Sequence, residues 1–157
     1  SQIKAQLLSL DPGDKRFVET FSFREIKSGE LARYILIRIN NKMMKKEEVS
    51  TIEDSMKVNL EHIIPKTIDQ DLRDYLRKYK IEYKEVLHRL GNLTLLSKRR
   101  NTRASNKSFE VKRNEIYSVS ELPVTYSLKR YKKWDMESIE DRQKEMANIA
   151  QEIWRLS

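Results

Sequence analysis

Two short segments of β-forming residues, set in a sequence of mostly helical pattern, most constrain how this chain can fold. The first ends at Glu61 and predicts a strand over 56–61, since Pro65 cannot donate a hydrogen bond to a sheet. The second is the apolar run Leu93–Leu96, which predicts a strand over 92–97. We expect the two strands to pair antiparallel.

The rest of the chain shows apolar residues at the three- and four-residue spacing of amphipathic helices. This spacing predicts helices over 3–10, 29–43, 69–80, 98–112, 124–131 and 135–156, with loops over 62–68 and 118–124. Asp69 is the expected N-cap of the third helix. An alternative stays open, in which Ser105-Asn106 caps a separate helix that begins near Lys107. The expected fold is α+β, a mainly helical single domain over 1–157, with 1–28 as a peripheral lead-in.

The charge composition favours nucleic acid as a partner. Lys and Arg number 32 against 24 Asp and Glu, which gives a formal net charge of +8. Such a balance is typical of domains that face nucleic acid, but many soluble domains are also basic, so charge alone leaves the partner open. The absence of cysteine excludes a disulfide scaffold and any zinc site built on thiolates.

The sequence shows neither a membrane span nor a secretion signal. No stretch approaches the roughly 18 apolar residues of a spanning helix, and residues 1–6 lack the apolar centre of a signal peptide. We therefore expect no membrane partner and a cytoplasmic location. The chain also begins without Met, and we expect it to be a C-terminal fragment of a larger protein.

The dipeptide Glu61-His62 is the strongest candidate for catalytic chemistry. Hydrolysis of a phosphodiester needs an activated water, which a histidine can supply, and stabilisation of the leaving oxygen, which a metal ion can supply. Mg²⁺ prefers oxygen ligands and retains several waters, so one carboxylate and one carboxamide suffice. A loop histidine bonded to backbone is the alternative for His62. Asn92 can equally be a turn residue, and Asn101 an exposed polar residue.

These residues resemble a known nuclease family. The run Glu61-His62-Ile63-Ile64-Pro65 is similar to the Asp-His-Ile-x-Pro start of HNH endonucleases, and Asn92 to Asn101 resembles the middle asparagine and terminal His or Asn of that motif. Over residues 30–157 the chain resembles the C-terminal domain of GmrSD-type modification-dependent restriction enzymes. The segments that carry this resemblance are Leu60–Pro65, Leu90–Ser97, Asn101, Ser105–Lys107, Lys112-Arg113, Tyr117, Trp134, Ile139, Arg142 and Ile153-Trp154.

The resemblance implies a role for each site residue. His62 would be the general base, and Asn92 would order the loop of a ββα-metal (HNH) hairpin-helix core. Glu61 and Asn101 would be ligands of Mg²⁺ or Mn²⁺. Glu61 stands where the family usually has Asp, so its carboxylate reaches one methylene further. Asn106 remains an alternative to Asn101 as the second ligand.

Basic residues follow the second predicted strand and flank Asn101. Phosphate contacts from such residues give affinity without sequence information, although a solvated helix face is the alternative. The candidate DNA-binding residues are Lys98, Arg99, Arg100, Arg103, Asn106, Lys107 and Arg113. For Arg142, a structural ion pair and a DNA contact both remain open. We expect His88 to be structural or on the surface, and Trp134 and Trp154 to anchor the core.

The resemblance implies a metal-dependent DNA endonuclease that nicks or cleaves phosphodiester bonds as the effector domain of a bacterial anti-phage restriction system. DNA is then the partner, and in such proteins a ParB-like nucleotide-binding domain precedes this one. Two other function classes remain open. One is a catalytically inactive, basic DNA-binding module. The other is a helical protein–protein adaptor, which predicts no salt-sensitive DNA binding.

Overall fold

The computed structural model describes residues 15–44 and 57–155, so the helix expected over 3–10 lies outside the described residues. The α-helices within these two ranges are α1 (Lys15–Phe23), α2 (Gly29–Met43), α3 (Gln70–Lys78), α4 (Tyr83–Val86), α5 (Lys98–Ala104), α6 (Phe109–Glu115), α7 (Pro123–Tyr126) and α8 (Met136–Arg155). The strands are β1 (Val58–His62) and β2 (Leu93–Ser97). Short 3₁₀ turns lie at Leu90–Asn92, Tyr117–Val119 and Ser127–Arg130. The described part of the chain is mainly helical around a two-stranded sheet, which agrees with the α+β prediction.

The two strands pair antiparallel, as predicted. Their register places His62 opposite Leu93, so His62 is the last residue of β1 rather than the first residue of a loop. The strand ends before Pro65, as expected. The connection over residues 63–92 contains α3 and α4, so a long excursion rather than a tight turn separates the paired strands.

The ends of several helices follow from residues that the sequence singled out. α2 and α8 agree with the helices predicted over 29–43 and 135–156. The Oδ1 atom of Asp69 accepts the backbone N–H of Leu72 at 2.8 Å, which confirms Asp69 as the N-cap of α3. This helix ends before the predicted boundary, because Lys80 has a φ of 54° that a right-handed helix does not contain.

The basic helix predicted over 98–112 is interrupted, so the prediction of one continuous helix is wrong. Ser105 has a φ of 39°, which ends the helical backbone after α5. The Oγ atom of Ser108 then accepts the backbone N–H of Val111 at 3.3 Å and caps α6. The alternative of a separate second helix is therefore correct, with Ser108 as its cap.

The loop predicted over 118–124 is also more structured than expected. Its first residues form a 3₁₀ turn, and α7 begins at Pro123, where the fixed φ and the missing N–H of proline suit the first helical residue. The helix predicted over 124–131 is divided between α7 and the 3₁₀ turn that follows it. None of the helices in the described part of the chain is long and apolar enough to cross a membrane.

α1 packs along α8 and brings the N-terminal segment into the core. Phe17 and Phe21 are 2% and 1% exposed, and their rings stack with centroids 5.9 Å apart. The ring of Trp154 in α8 is half-buried and packs against that of Phe17, with ring centroids 6.3 Å apart. The expectation that 1–28 is peripheral does not hold for all of residues 15–28, because Phe17, Phe21 and Ile26 pack in one cluster with α2 and α8, whereas Phe23 is 68% exposed.

A second apolar cluster lies behind the segment that follows β1. It includes Ile63 and Ile64 of that segment and the fully buried Trp134. The ring of Trp134 stacks on that of Phe109 with centroids 5.2 Å apart. Trp134 is thus the core anchor that the sequence predicts. The cluster also packs against the segment after His62 through Ile63 and Ile64.

Polar side chains of α8 hold the turn that leads into β2. Arg142 donates from Nη1 to the carbonyl groups of Gly91 (2.8 Å) and Leu93 (2.7 Å), and from Nη2 to that of Val124 (3.0 Å). The Oε1 atom of Gln143 accepts the N–H of Gly91 at 3.1 Å. Because Arg142 is 3% exposed and bonded to carbonyl groups, it is structural, and DNA cannot reach it.

Candidate active site

One cavity of about 390 Å³ collects the candidate residues from distant parts of the chain. β1 contributes Glu61 and His62, and α5 contributes Asn101. Two cationic residues that the sequence analysis did not assign to the site also line this cavity, Arg33 from α2 and Lys66 from the segment after β1. The fold therefore brings the predicted acid, imidazole and carboxamide to one place.

The imidazole of His62 is half-buried and lies edge-to-face against that of His88, with ring centroids 5.8 Å apart. Burial, followed by the positive charges of Lys66, His88 and Lys112, lowers the pKa of His62 to about 4. The imidazole is therefore neutral at pH 7, which is the form that can accept a proton. His88 is half-buried and packs against the ring of His62, but it is not among the described residues that line the cavity.

The carboxylate of Glu61 is buried and held through one oxygen. The hydroxyl of Tyr117 donates to Oε2 at 2.8 Å, and Nζ of Lys112 lies 3.5 Å from the same atom. Burial raises the pKa of Glu61, while Lys112 and the Tyr117 hydroxyl act in the opposite direction. Within the described ranges both of these contacts go to Oε2, and Glu61 is one of the residues that line the cavity, so Oε1 is the oxygen left as a candidate ligand atom.

Lys112, the last residue of the basic helix predicted over 98–112, is a fully buried ammonium. Its Nζ donates to the carbonyl groups of His62 (3.3 Å) and Ile63 (3.1 Å), besides facing Glu61. Burial lowers the pKa of Lys112, and the Glu61 carboxylate opposes this effect. One signal of its burial was present in the sequence, because Lys112 shares helical spacing with the apolar Phe109 and Ile116.

Asn92 fastens the segment after His62 to the start of β2. Its Oδ1 accepts the N–H of Ile64 (2.9 Å) and the indole N–H of Trp134 (3.0 Å). Its Nδ2 donates to the carbonyl groups of Ile64 and Leu87, both at 3.2 Å. Asn92 is completely buried, so it orders this segment from inside and does not itself face the cavity.

A tyrosine fixes the far end of the same segment. The hydroxyl of Tyr83 lies 2.8 Å from the carbonyl oxygens of both Pro65 and Lys66. Asn92 and Tyr83 together therefore hold the backbone on both sides of Pro65. This support places Lys66 at the rim of the cavity that contains His62.

The two candidate asparagines at the other side of the cavity differ in how they are held. Asn101 is half-buried, and its Nδ2 lies 3.5 Å from the carbonyl oxygen of Leu60, which leaves Oδ1 as an acceptor. Asn106 lines the same cavity but is exposed in the turn between α5 and α6. The backbone contact to β1 favours Asn101 as the more fixed of the two.

The residues predicted to bind DNA divide into two groups, one exposed and one bonded to backbone carbonyl groups. The exposed members are Lys98, Arg99, Arg103, Asn106 and Lys107. Arg100 is half-buried and donates to the carbonyl group of Val119 at 2.8 Å. Arg113 donates to the carbonyl groups of Tyr131 (2.9 Å) and Lys132 (2.8 Å), so its guanidinium ties α6 to the segment before α8.

The oxygen donors of the cavity fit a hard divalent cation such as Mg²⁺. The contacts described above leave Oε1 of Glu61 and Oδ1 of Asn101 available, and Mg²⁺ keeps several waters of its own. Across residues 15–44 and 57–155, no group of three or more His, Cys, Asp or Glu residues could hold a metal ion. A cation here would therefore rely on few ligands from the protein and on oxygen atoms from water or substrate.

Comparison with known proteins identifies the family of the chain. No curated protein sequence matches it. The family model described as the C-terminal domain of GmrSD restriction endonucleases matches residues 11–149, which include both strands, the cavity residues and most of α8. Since this match spans most of the 157 residues, the chain belongs to the family of GmrSD restriction endonuclease C-terminal domains.

Proposed function

We propose that this chain is a metal-dependent DNA endonuclease of the HNH type, which nicks or cleaves phosphodiester bonds. The observation that carries the proposal is the meeting of Glu61, His62 and Asn101 at one cavity beside the basic helix α5. Membership of a restriction endonuclease family supports the same class of activity. The order of elements supports the HNH type, because β1, β2 and α5 form an antiparallel pair followed by a helix that packs against both strands.

His62 is the residue that we assign to activate water. Its neutral imidazole can accept a proton from a water that attacks the phosphorus atom. A bound phosphate carries negative charge, which raises the pKa of a neighbouring imidazole and so makes it a stronger base. Tyr83 and Asn92 act indirectly, since they hold the backbone that follows His62.

Glu61 and Asn101 are the residues that we assign to hold Mg²⁺ or Mn²⁺ through Oε1 and Oδ1. When bound, the ion would stabilise negative charge on the phosphate and the leaving oxygen. The exposed basic residues of α5 and the turn after it, together with Lys66 at the cavity, would hold the DNA backbone through its phosphates. We further propose that the domain is the effector of a bacterial anti-phage restriction system, with a ParB-like nucleotide-binding domain as its N-terminal partner.

The proposal is tested by incubating supercoiled plasmid with the intact protein in Mg²⁺ or in EDTA. We expect relaxed or linear product only with the metal. His62→Ala should lower the rate about 10²- to 10⁴-fold, the contribution typical of a general base. His88→Ala is the matched control, because it removes the neighbouring imidazole and should retain most of the activity.

Two outcomes would contradict the assignment. Equal nicking by His62→Ala and the parent protein would remove His62 as the base. Binding of DNA without cleavage in Mg²⁺ and in Mn²⁺ would favour the alternative of an inactive, basic DNA-binding module.

A further inference from the structure

A buried cluster of three polar side chains lies directly behind the proposed active site. Lys112 of α6 has a side chain that is 0% exposed, and Glu61 of β1 has one that is 6% exposed. Tyr117 is also completely buried and donates its hydroxyl to the carboxylate of Glu61 at 2.8 Å. Neither Lys112 nor Tyr117 is among the described lining residues of the cavity, so both reach the site only through other groups.

The burial of this ammonium needs a physical reason. A buried charge loses several kcal/mol of hydration, and its attraction to a partner repays this only with good geometry and further hydrogen bonds. Lys112 has this compensation, because it faces Glu61 at 3.5 Å and donates to the carbonyl groups of His62 and Ile63. Within the described residues, the contacts of its Nζ therefore go to the end of β1 and the residue after it, where the proposed base and metal ligand lie.

The contacts are also selective for one oxygen of Glu61. Tyr117 and Lys112 both approach Oε2, which fixes the rotation of the carboxylate about its last bond. Oε1 is then directed away from both partners. A carboxylate held in this manner keeps one orientation, and Glu61 is one of the residues that line the cavity, so Oε1 is the atom left to act there.

We propose that Lys112 and Tyr117 are positioning residues of the nuclease site, which hold Oε2 of Glu61 and the backbone of His62 so that Oε1 and the imidazole stay directed into the cavity. The inference rests on the proposed function, because it assigns a purpose to the proposed metal ligand and base. It goes beyond that function because it assigns a positioning role to two residues that do not line the cavity.

The primary test variant is Tyr117→Phe, which removes a single oxygen atom and keeps the buried ring. Loss of a partner that orients a metal ligand typically lowers metal affinity or activity about 10- to 100-fold. We expect a fall of this size in kcat for plasmid nicking, with little change in KM. Titration with Mn²⁺ alone should show weaker binding by Tyr117→Phe than by the parent protein.

A matched control removes a buried hydroxyl that is bonded to β2 rather than to Glu61. Thr125 is completely buried, donates to the carbonyl group of Leu95 at 2.6 Å and contacts the hydroxyl of Thr94. Thr125→Val should lower the thermal midpoint of unfolding and leave kcat close to that of the parent protein. Lys112→Met is the second test variant, and its kcat is compared at a temperature where circular dichroism shows it folded.

A double-mutant cycle separates positioning from a general structural effect. If Tyr117 acts through Glu61, then Tyr117→Phe should change kcat by less than about twofold in a Glu61→Gln background, since coupled residues are not additive. A full, additive loss in that background would overturn the inference. So would unchanged kcat and Mn²⁺ affinity in Tyr117→Phe while the parent protein nicks DNA. Absence of nicking by the parent protein would instead refute the proposed function on which the inference rests.

Discussion

At the scale of single residues, Asn92 shows how one carboxamide can set the position of a whole segment. Both atoms of its terminal group are used twice, and the partners are Ile64, Leu87 and Trp134. These partners come from three different parts of the chain. A buried amide with every hydrogen bond satisfied specifies one local arrangement, because any shift would leave polar groups without partners.

We predict that Asn92→Ala strongly destabilises the protein. The change leaves the N–H groups of Ile64 and Trp134 without their acceptor. Each unsatisfied buried group costs about 1–3 kcal/mol, so the free energy of unfolding should fall by at least about 2 kcal/mol. Urea denaturation followed by circular dichroism measures this loss.

Asn101→Ala is the control for this prediction. Asn101 is only half-buried and makes a single long contact to Leu60. Its replacement should therefore cost less than about 1 kcal/mol, the usual net value of one hydrogen bond. Similar losses in the two variants would show that the network around Asn92 is not what stabilises the segment.

The residue scale is also where the sequence was most and least informative. The resemblance to HNH endonucleases predicted that Asn92 orders the segment of His62, and the bonds from Asn92 to Ile64 agree with that prediction. The role of Lys112 was not predicted, because a lysine among other basic residues is ordinarily exposed. Its burial depends on the direction in which α6 packs, and that direction is set by contacts distant in sequence.

At the scale of elements, the close approach of α8 to the turn before β2 is the tightest packing in the described chain that involves a glycine. A Cβ atom on Gly91 would lie 2.4 Å from the backbone oxygen of Ile139 and 3.0 Å from Cβ of Gln143. Neither neighbour can move easily, because one is backbone and the other lies within a long helix. Gly91 therefore permits contact between α8 and the sheet.

We predict that Gly91→Ala lowers the free energy of unfolding by about 1–3 kcal/mol, the usual penalty for overpacking. Gly29→Ala is the matched control, since its added Cβ would meet only a side-chain atom of Leu60 at 3.8 Å. The control should be neutral or stabilising by up to about 1 kcal/mol. Equal stability of the two variants in urea denaturation would contradict the proposed role of close packing.

The start of α8 gives a prediction that depends on pH. Asp135 accepts hydrogen bonds from the backbone N–H (3.0 Å) and hydroxyl (2.9 Å) of Ser138, and it lies 3.3 Å from Nζ of Lys133. Partial burial alone would raise the pKa of Asp135, but these partners outweigh it and lower the pKa. The carboxylate therefore contributes stability above the ordinary Asp pKa of about 3.9, and this contribution is lost as the pH falls through the lowered value.

We expect Asp135→Ala to lower the free energy of unfolding by about 1 kcal/mol at pH 7, as for other lost N-caps. The difference from the parent protein should shrink as the pH falls below about 4, because the parent then also loses its carboxylate. Thermal unfolding at a series of pH values measures the difference. A gap that stays constant down to pH 2 would show that the charge of Asp135 does not act at this cap.

The elements themselves were predictable where local signals agreed. Helical spacing defined α2 and α8, and Asp69 marked the start of α3. The break between α5 and α6 could be placed only loosely, because Ser105 and Ser108 are both good cap residues and the backbone at Ser105 selects between them. The place of α1 in the core was also missed, since three phenylalanines in a short segment do not show what they pack against.

At the scale of the whole molecule, the distribution of basic residues indicates which surface would bind DNA. The exposed basic residues belong to α5, which also carries Asn101, and to the following turn, while Lys66 lines the same cavity as Asn101. A charged surface of this kind binds phosphates by releasing their counterions, so its affinity for DNA falls steeply with salt. The net charge of +8 adds attraction over a longer range.

We predict that Arg103→Ala and Lys107→Ala each weaken binding to any duplex sequence and each reduce the slope of log K against log salt by about 0.9, the value for one phosphate contact. Lys144→Ala is the control, because Lys144 is exposed on α8 near the acidic Glu137 and Glu140. Fluorescence anisotropy at several salt concentrations measures the slopes. A slope that is unchanged in both variants, or equally reduced in the control, would exclude this surface.

The bonds from Arg142 and Gln143 to the turn at Gly91 also bear on the order in which the chain assembles during synthesis. During synthesis β1 leaves the ribosome well before β2, and β2 leaves it before α8. The side chains of α8 that hold the turn at Gly91 and the start of β2 are therefore made last. Pairing across such a separation in sequence is slow to form, since the intervening chain must close first. We therefore expect a nascent chain that lacks α8 to have no finished cavity, so that the proposed cutting of DNA has to wait until α8 has been translated.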